Sequence, residues 1–336
     1  MTPAPRTLAV RLDNAGDVLL TGPALRALGA GSDHLTLLAG PLGRDAGRLL
    51  PGVDEVLTWR CPWIDPQPPP VADTGIDELL GTLRSRAFDR AVVFTSYHQS
   101  PLPTALLLRM AGIPRISAIS EDYPGALLDV RHRVPDGIPE AERALSLAAA
   151  AGFALPDGDE PVLQLKPTPP LALPADPFVV VHPGTSVPAR GCPPDTCAEL
   201  VTALRAAGHP VLVTGGPDER PLTAKVARAG AVDLGGQTTL GELATLIRHA
   251  ACLVVGNTGP AHVAAAVGTP VVSLFAPTVP FGQWAPHRAP TVRLGDATAP
   301  CRGSRATQCP VPNHPCLAGI APDDVVSAVR MLIGGR

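Results

Sequence analysis

An α/β fold with two doubly wound parallel-sheet halves is predicted by three features of this 336-residue chain. Short apolar runs alternate with helical stretches. Most of these runs end in turns rich in Gly, Asn, Asp, Thr or Ser. One proline-dense stretch divides the pattern into two similar parts. Such alternation favours strands buried on both faces, with helices as crossovers. The length suggests two domains, each large enough to bury its own core.

Residues 7–12 read as a buried strand, followed by the turn Asp13, Asn14, Ala15, Gly16, Asp17 and a helical run over 18–28. The unit recurs at 35–38 before Gly40 and Pro41, and at 91–94 before 95–103, with an apolar helix over 102–111. The Pro-rich stretch 62–70 reads as a surface loop, an inert insertion being its plainer explanation. Between 166 and 177, five prolines in twelve residues break both helix and ladder. The boundaries are therefore 1–165 for a first domain, 166–177 for a linker and 178–336 for a second domain. After the linker the pattern restarts. Residues 178–182 lead to Pro183, Gly184, Thr185 and Ser186, and 210–214 lead to Gly215, Gly216 and Pro217. Residues 253–255 lead to Gly256, Asn257, Thr258 and Gly259, and 271–275 to Ala276, Pro277 and Thr278. The closing helix is free to pack back on the first domain.

Hydrophobic residues make up 45% and charged residues 17%, which excludes a disordered chain. A formal net charge of -3 leaves no basic excess for a nucleic-acid backbone, so any phosphate is bound locally. No apolar run approaches the ~18–20 residues of a membrane span, and the opening residues lack a signal-peptide pattern. A cytoplasmic protein without an integral membrane segment is expected. Seven cysteines, an odd number, do not suggest a secreted disulfide framework and should be mostly reduced.

Ligands of open parallel sheets bind beyond the carboxyl ends of the strands, where the turns named above lie. Asn257, Thr258, Gly259, Pro260, Ala261 and His262 follow a strand and open a helix. Asn257 or Thr258 can cap that helix, and its outward N–H groups can hold a pyrophosphate. An ordinary capped turn with no ligand fits the string equally well. Thr185, Ser186 and Arg190 put two hydroxyls and a guanidinium on one loop, which suits an anion. The alternative is a solvated surface arginine. Gly215 and Gly216 with Asp218 and Glu219 would let a backbone approach a ligand while a carboxylate accepts ribose hydroxyls.

The strings Gly16-Asp17-Val18-Leu19-Leu20, His182-Pro183-Gly184-Thr185-Ser186, Gly215-Gly216-Pro217-Asp218-Glu219 and Asn257-Thr258-Gly259-Pro260-Ala261-His262 occur in that order. Val263-Ala264-Ala265-Ala266-Val267-Gly268-Thr269-Pro270 and Leu274-Phe275-Ala276-Pro277-Thr278 follow, and a segment with Cys301, Cys309 and Cys316 ends the series. Taken together, they resemble the heptosyltransferases of glycosyltransferase family 9 over nearly the whole chain. The resemblance implies a GT-B architecture, with two Rossmann-like domains facing a central cleft. The first would hold a small-molecule or glycan acceptor and the second a nucleotide-sugar donor, usually ADP-heptose as co-substrate, with no cofactor and no catalytic metal.

On that resemblance Asp17 is the general base, the competing role being a helix cap or dipole partner. Gly16, His98 and Gln99 lie on the acceptor side, with plain surface positions as the alternative for His98 and Gln99. Glu219 is carried over as the ribose contact, and Asp218 is its neighbouring alternative. Arg190 stands where the family often has lysine, and Gly191-Cys192-Pro193 replaces Arg-Trp-Pro. Asn257 takes the place of an aspartate that contacts the donor. Cys301, Cys309 and Cys316 with His314 do not match a standard zinc spacing, and free or transiently bridged thiols are favoured over a structural metal. The expected reaction is inverting, metal-independent sugar transfer. A sugar-nucleotide epimerase on the same fold, or a nucleotide-sugar binding protein without turnover, are the alternatives.

Overall fold

The computed structural model describes residues 3–335. The chain divides between Lys166 and Pro167 into two compact units, each built on its own six-stranded sheet. The first unit contains β1 (Arg6–Arg11), β2 (His34–Ala39), β3 (Glu55–Thr58), β4 (Arg90–Val93), β5 (Arg115–Ile119) and β6 (Val130–His132). They lie in the order β3-β2-β1-β4-β5-β6, all neighbours parallel, with Val10 of β1 registered against Leu38 and Val93. The second unit contains β7 (Val179–His182), β8 (Val211–Val213), β9 (Val232–Asp233), β10 (Cys252–Gly256), β11 (Val271–Leu274) and β12 (Thr291–Leu294). Their order is β12-β11-β10-β7-β8-β9, again parallel throughout.

Consecutive residues of the central strands are buried, as in Leu8, Ala9 and Val10 of β1 and the whole of β10, because helices cover both faces of each sheet. In the first unit Leu8, Val10, Val93, Leu108 and Ile116 share one cluster, and in the second Val179, Leu200, Val254, Val272 and Val329 share another. The closing helix Pro322–Gly334 packs on the helix Pro194–Ala206 and on β10, β11 and β12, all in its own unit.

The single helix expected over 18–28 is two helices, Ala15–Leu20 and Gly22–Ala30. Thr21 marks the break, with its hydroxyl donating to Asp17 O at 2.9 Å, and Pro23 opens the second helix because it has no N–H to continue the first. Helix therefore begins at Ala15, so Asp17 lies in a first helical turn instead of in the preceding loop. The proline-rich stretch is held at its start. Lys166 N donates to Leu49 O at 2.7 Å and its Nζ to Val53 O at 2.8 Å, while Thr245 Oγ1 lies 2.7 Å from Thr168 Oγ1 and 2.6 Å from Pro169 O.

Close packing fixes one glycine and leaves another free. A Cβ at Gly29 would fall 2.6 Å from Gly52 O, whereas at Gly81, in the exposed middle of the helix Asp73–Arg86, it would meet nothing within 4 Å. Gly29→Ala should destabilise the protein by about 1–3 kcal/mol through overpacking, and Gly81→Ala should stabilise it by about 0.5–1 kcal/mol through helix propensity. Urea unfolding of the two variants checks this; equal shifts would show that the Gly29 contact yields freely.

Candidate functional site

In each unit the strand order reverses at a point where two loops can diverge to admit a ligand. In the first unit that point lies between β1 and β4. The end of β1 supplies Arg11, only 2% exposed, and the segment after it supplies Asp13 and Asp17. The segment after β4 supplies Thr95, Ser96 and Gln99.

Arg11 Nε lies 2.8 Å from Asp13 Oδ2, and its Nη2 donates to Asp17 Oδ1 at 3.0 Å and to Ser96 Oγ at 2.8 Å. Its Nη1 lies 3.9 Å from Glu140 Oε2, which is 3.6 Å from Arg143 Nη1. Ser96 Oγ donates to Asp17 Oδ1 at 3.3 Å. Gln99 Nε2 donates to Asp13 Oδ1 at 2.5 Å, and Ser96 N donates to Gln99 Oε1 at 2.9 Å, which joins the two loops. Arg143 donates to Thr95 O at 2.5 Å and lies over the Tyr97 ring at 5.3 Å. Asp17 thus has Oδ1 held by two donors, and its side chain keeps 21% exposure. Among the described residues, Oδ2 has no hydrogen-bond partner.

Burial sets the electrostatics of this cluster. It lifts the Asp13 and Glu140 carboxyls above their ordinary range, with Arg11 pulling both the other way. It also opposes charge on Arg11, but Asp13, Asp17 and Glu140 together hold that guanidinium above its ordinary value. Burial brings Arg143 below its own.

Of the residues expected on the acceptor side, Gly16 lies in the helical turn with Asp17, and Gln99 braces Asp13. His98 is exposed and lines a cavity of about 260 Å³ with Tyr97, Asp136 and Arg143. Arg11, Asp13, Ser96, Glu140 and Arg143 were not anticipated. The available signal was a charged residue, Arg11, inside an otherwise apolar strand.

In the second unit the order reverses between β10 and β7. After β7, Thr185 Oγ1 accepts from Val187 N at 3.2 Å, Ser186 is exposed, and the turn Pro188–Arg190 brings Arg190 half-buried to the end of β10. A Cβ on Gly256 would lie 3.1 Å from Arg190 O, so these backbones meet. After β8, Glu219 accepts from Gly216 N at 2.7 Å, lies 3.8 Å from His182 Nε2 and sits over Gly184, where a Cβ would collide with its carboxylate. Asp218, its neighbour, is exposed. His182 Nδ1 is 3.0 Å from Thr214 Oγ1, and burial lowers the pKa of its imidazole.

After β10 the helix Gly259–Val267 begins with Thr258 as its N-cap and Pro260 in its first turn. Neither Asn257 nor Thr258 caps it with a side chain, contrary to expectation. Thr258 has an extended backbone without a side-chain cap bond, and the Asn257 amide is turned inward, 6% exposed, with Nδ2 lacking a partner. His262 Nδ1, on a side chain 3% exposed, and Thr278 Oγ1, on one 1% exposed, likewise lack partners. Burial, then His287, lowers the His262 pKa to about 4, so the imidazole is neutral near pH 7. Buried polar atoms without partners are costly, and at a strand-end turn they suit a polar ligand. Thr278, after β11, belongs to the family-like pattern but has no expected site role there.

All seven cysteines are free thiols. Among the described residues, no group of three or more His, Cys, Asp or Glu could hold a metal ion, and no helix is long and apolar enough to cross a membrane.

The family model "Glycosyltransferase family 9 (heptosyltransferase)" matches residues 76–314. The chain belongs to glycosyltransferase family 9. It is 34% identical over 143 residues to the lipopolysaccharide heptosyltransferase 3 of Escherichia coli, a match spanning 40% of each chain. With the lipopolysaccharide heptosyltransferase 2 of Escherichia coli K12 it shares 28% over 276 residues, 75% of this chain and 77% of that protein. Among solved structures, a family 9 glycosyl transferase from Veillonella parvula superposes with a TM-score of 0.81 at 18% identity, covering 100% of this chain and 99% of that one. The Escherichia coli heptosyltransferase WaaC with ADP-2-deoxy-2-fluoro heptose gives 0.66 at 19%, covering 87% and 94%. These likenesses show the fold, which is GT-B.

The buried His262 makes stability depend on pH. Its folded pKa, about 4, lies below the ordinary 6.5, so the unfolded chain binds the extra proton between those values. The contribution of this group to stability, on the order of 3 kcal/mol, should therefore be lost as pH drops from 6.5 to 4 and should not change above 6.5. His262→Gln should lose that part of the slope in urea unfolding at pH 7 and pH 4.5; an unchanged slope would show that His262 titrates normally.

Proposed function

We propose that this chain is a glycosyltransferase that moves a sugar, heptose from ADP-heptose, to a hydroxyl of a small-molecule or glycan acceptor, with inversion and without a metal. Family membership and the likeness to WaaC, described with a fluorinated ADP-heptose, support the donor. The observation that carries the mechanism is the Asp17 carboxylate, with Oδ1 tied by Arg11 and Ser96 and Oδ2 available.

In this reading the acceptor hydroxyl gives its proton to Asp17 Oδ2 as its oxygen attacks the anomeric carbon. The bond from that carbon to the diphosphate breaks, and the nucleoside diphosphate leaves. One displacement with no covalent intermediate inverts the centre. Charge growing on the leaving oxygen is met by Arg190, the Thr185 and Ser186 hydroxyls, and the N–H groups of Thr258 and Gly259 at the helix start, ahead of Pro260, Ala261 and His262. Glu219 accepts from the ribose hydroxyls, and the buried Asn257 amide donates to the donor. Gly16, next to the base, and the exposed His98 belong to the acceptor side in this reading.

Asp17→Asn keeps the size and the bond from Arg11 but removes basicity. Turnover should fall by roughly 10²–10⁴-fold while ADP affinity and Tm hardly move. Near-normal turnover in a stable variant would remove Asp17 from the chemistry. Arg190→Ala should weaken ADP binding by about 1.5–3 kcal/mol in calorimetry, with lysine restoring part of it. An unchanged affinity would detach that loop from the diphosphate.

A further inference from the structure

Beyond β11 and β12 lies a cavity whose lining residues have no role in the transfer proposed above. It measures about 450 Å³, and its walls include Val279, Phe281, Arg293, Thr298 and Arg302. Arg293 is the third residue of the edge strand β12, between Val292 and Leu294, which pack into the core of the second unit. Alternation along the strand turns Arg293 to the opposite face. There its guanidinium carbon lies 5.3 Å from the Phe275 ring centre and 5.0 Å from that of Phe281, the two rings meeting edge to face at 4.9 Å.

Arg302 comes from a separate segment whose backbone is fixed to the loop after β11. Gly303 N donates to Pro277 O and Arg305 N to Thr278 O, both at 2.9 Å. Two guanidiniums thus share one cavity, and no carboxylate among the described residues pairs with either. The nearest acid in sequence, Asp296, is engaged by Thr298, whose N and Oγ1 both donate to its Oδ1 at 2.7 Å. Arg293 Nε is buried and has no hydrogen-bond partner. Partial burial, then Arg302, lowers the Arg293 pKa. Ring faces attract a cation but do not neutralise it, so the pair is left with unmatched positive charge and free donors.

We propose that this cavity binds an anionic sugar, its phosphate or carboxylate held by Arg293 and Arg302 and the carbon face of its ring resting on Val279 and Phe281. A guanidinium pair gives such a group charge-assisted bonds in a planar fork. The cavity volume is within the range of small-ligand sites. The binding belongs to the second unit's own residues and is independent of sugar transfer.

Calorimetry of the full chain with glucose 6-phosphate, glucuronate, glucose, inorganic phosphate and ADP tests it. At least one of the two anionic sugars should bind, more tightly than inorganic phosphate, and glucose should not. The preferred one identifies the group as phosphate or carboxylate. Arg302→Gln should weaken that binding at least about tenfold without changing ADP affinity or Tm, because Arg302 is exposed and supports no packing. Arg293→Gln should weaken it too, with Tm recorded because Arg293 packs on two rings. Equal binding of glucose and its anionic relatives would overturn the proposal, as would failure of both anionic sugars to bind. A loss in Arg302→Gln confined to ADP would assign the guanidiniums to the nucleotide instead.

Discussion

The buried guanidinium of Arg11 organises the first unit's chemistry. A charge at the end of a central strand, out of water, persists only with counter-charge and hydrogen bonds around it. Asp13, Asp17 and Glu140 supply more negative charge than Arg11 can balance, and Arg143 supplies the second positive group. Arg11 is therefore the member on which the others converge. Removing Arg11 would leave three carboxylates close together in low dielectric, a cost of several kcal/mol. The constraint spreads outward. Asp13 fixes Gln99, Gln99 takes the Ser96 amide, and Ser96 shares Asp17 Oδ1 with Arg11. The segments after β1 and β4 are thereby tied into one frame, which presents Asp17 Oδ2 in a set direction before any ligand arrives.

The second unit is arranged in the opposite sense. At the reversal of its strand order, Asn257 Nδ2, His262 Nδ1 and Thr278 Oγ1 are buried without partners. Such atoms destabilise the folded chain unless something meets their hydrogen-bonding capacity. Neutral His262 adds no charge and can either donate or accept, depending on its tautomer. Tight backbone crossings keep these groups in place, since Gly256 passes beneath Arg190 O and Gly184 beneath the Glu219 carboxylate. A side chain at either glycine would push the loops apart.

The sequence revealed the strands that are unbroken apolar runs, even one as short as β8, and obscured those that carry polar residues. β1, β2, β4, β7, β8, β10 and β11 read directly as apolar runs ending in turn residues. β3, β6 and β9 did not, because Glu55, Arg131 and Asp233 lie in them at the sheet edges, where burial no longer demands a continuous apolar run, and β5 did not because Arg115 and Ser117 break its apolar pattern although it is buried. β12 was missed for a related reason, as Arg293 breaks its apolar pattern. The division of the 18–28 helix was signalled by Pro23 but outweighed by the apolar content around it. In the candidate site, Asp17 and Glu219 were named through the family resemblance, and the Asn257 turn also through its own strand-end string. The partners of Asp17 were hidden because Ser96, Glu140 and Arg143 are distant in sequence and meet Arg11 only when β4 and the helix Glu140–Ala150 are packed.

Asn257 brings the two arrangements together. In the transfer proposed above, negative charge builds on the departing diphosphate, so a buried carboxylate nearby would be repelled by the leaving group unless a cation screened it. An amide of nearly the same shape removes that repulsion and contributes an N–H donor, which a carboxylate lacks. The Nδ2 atom, buried and without a protein partner, is such a donor. Against the aspartate that the family resemblance implies at this position, the amide gives up one acceptor for sugar hydroxyls and offers a donor to developing charge. That exchange suits a second unit with unmatched donors at this turn, while in the same proposal proton removal stays with the carboxylate cluster of the first.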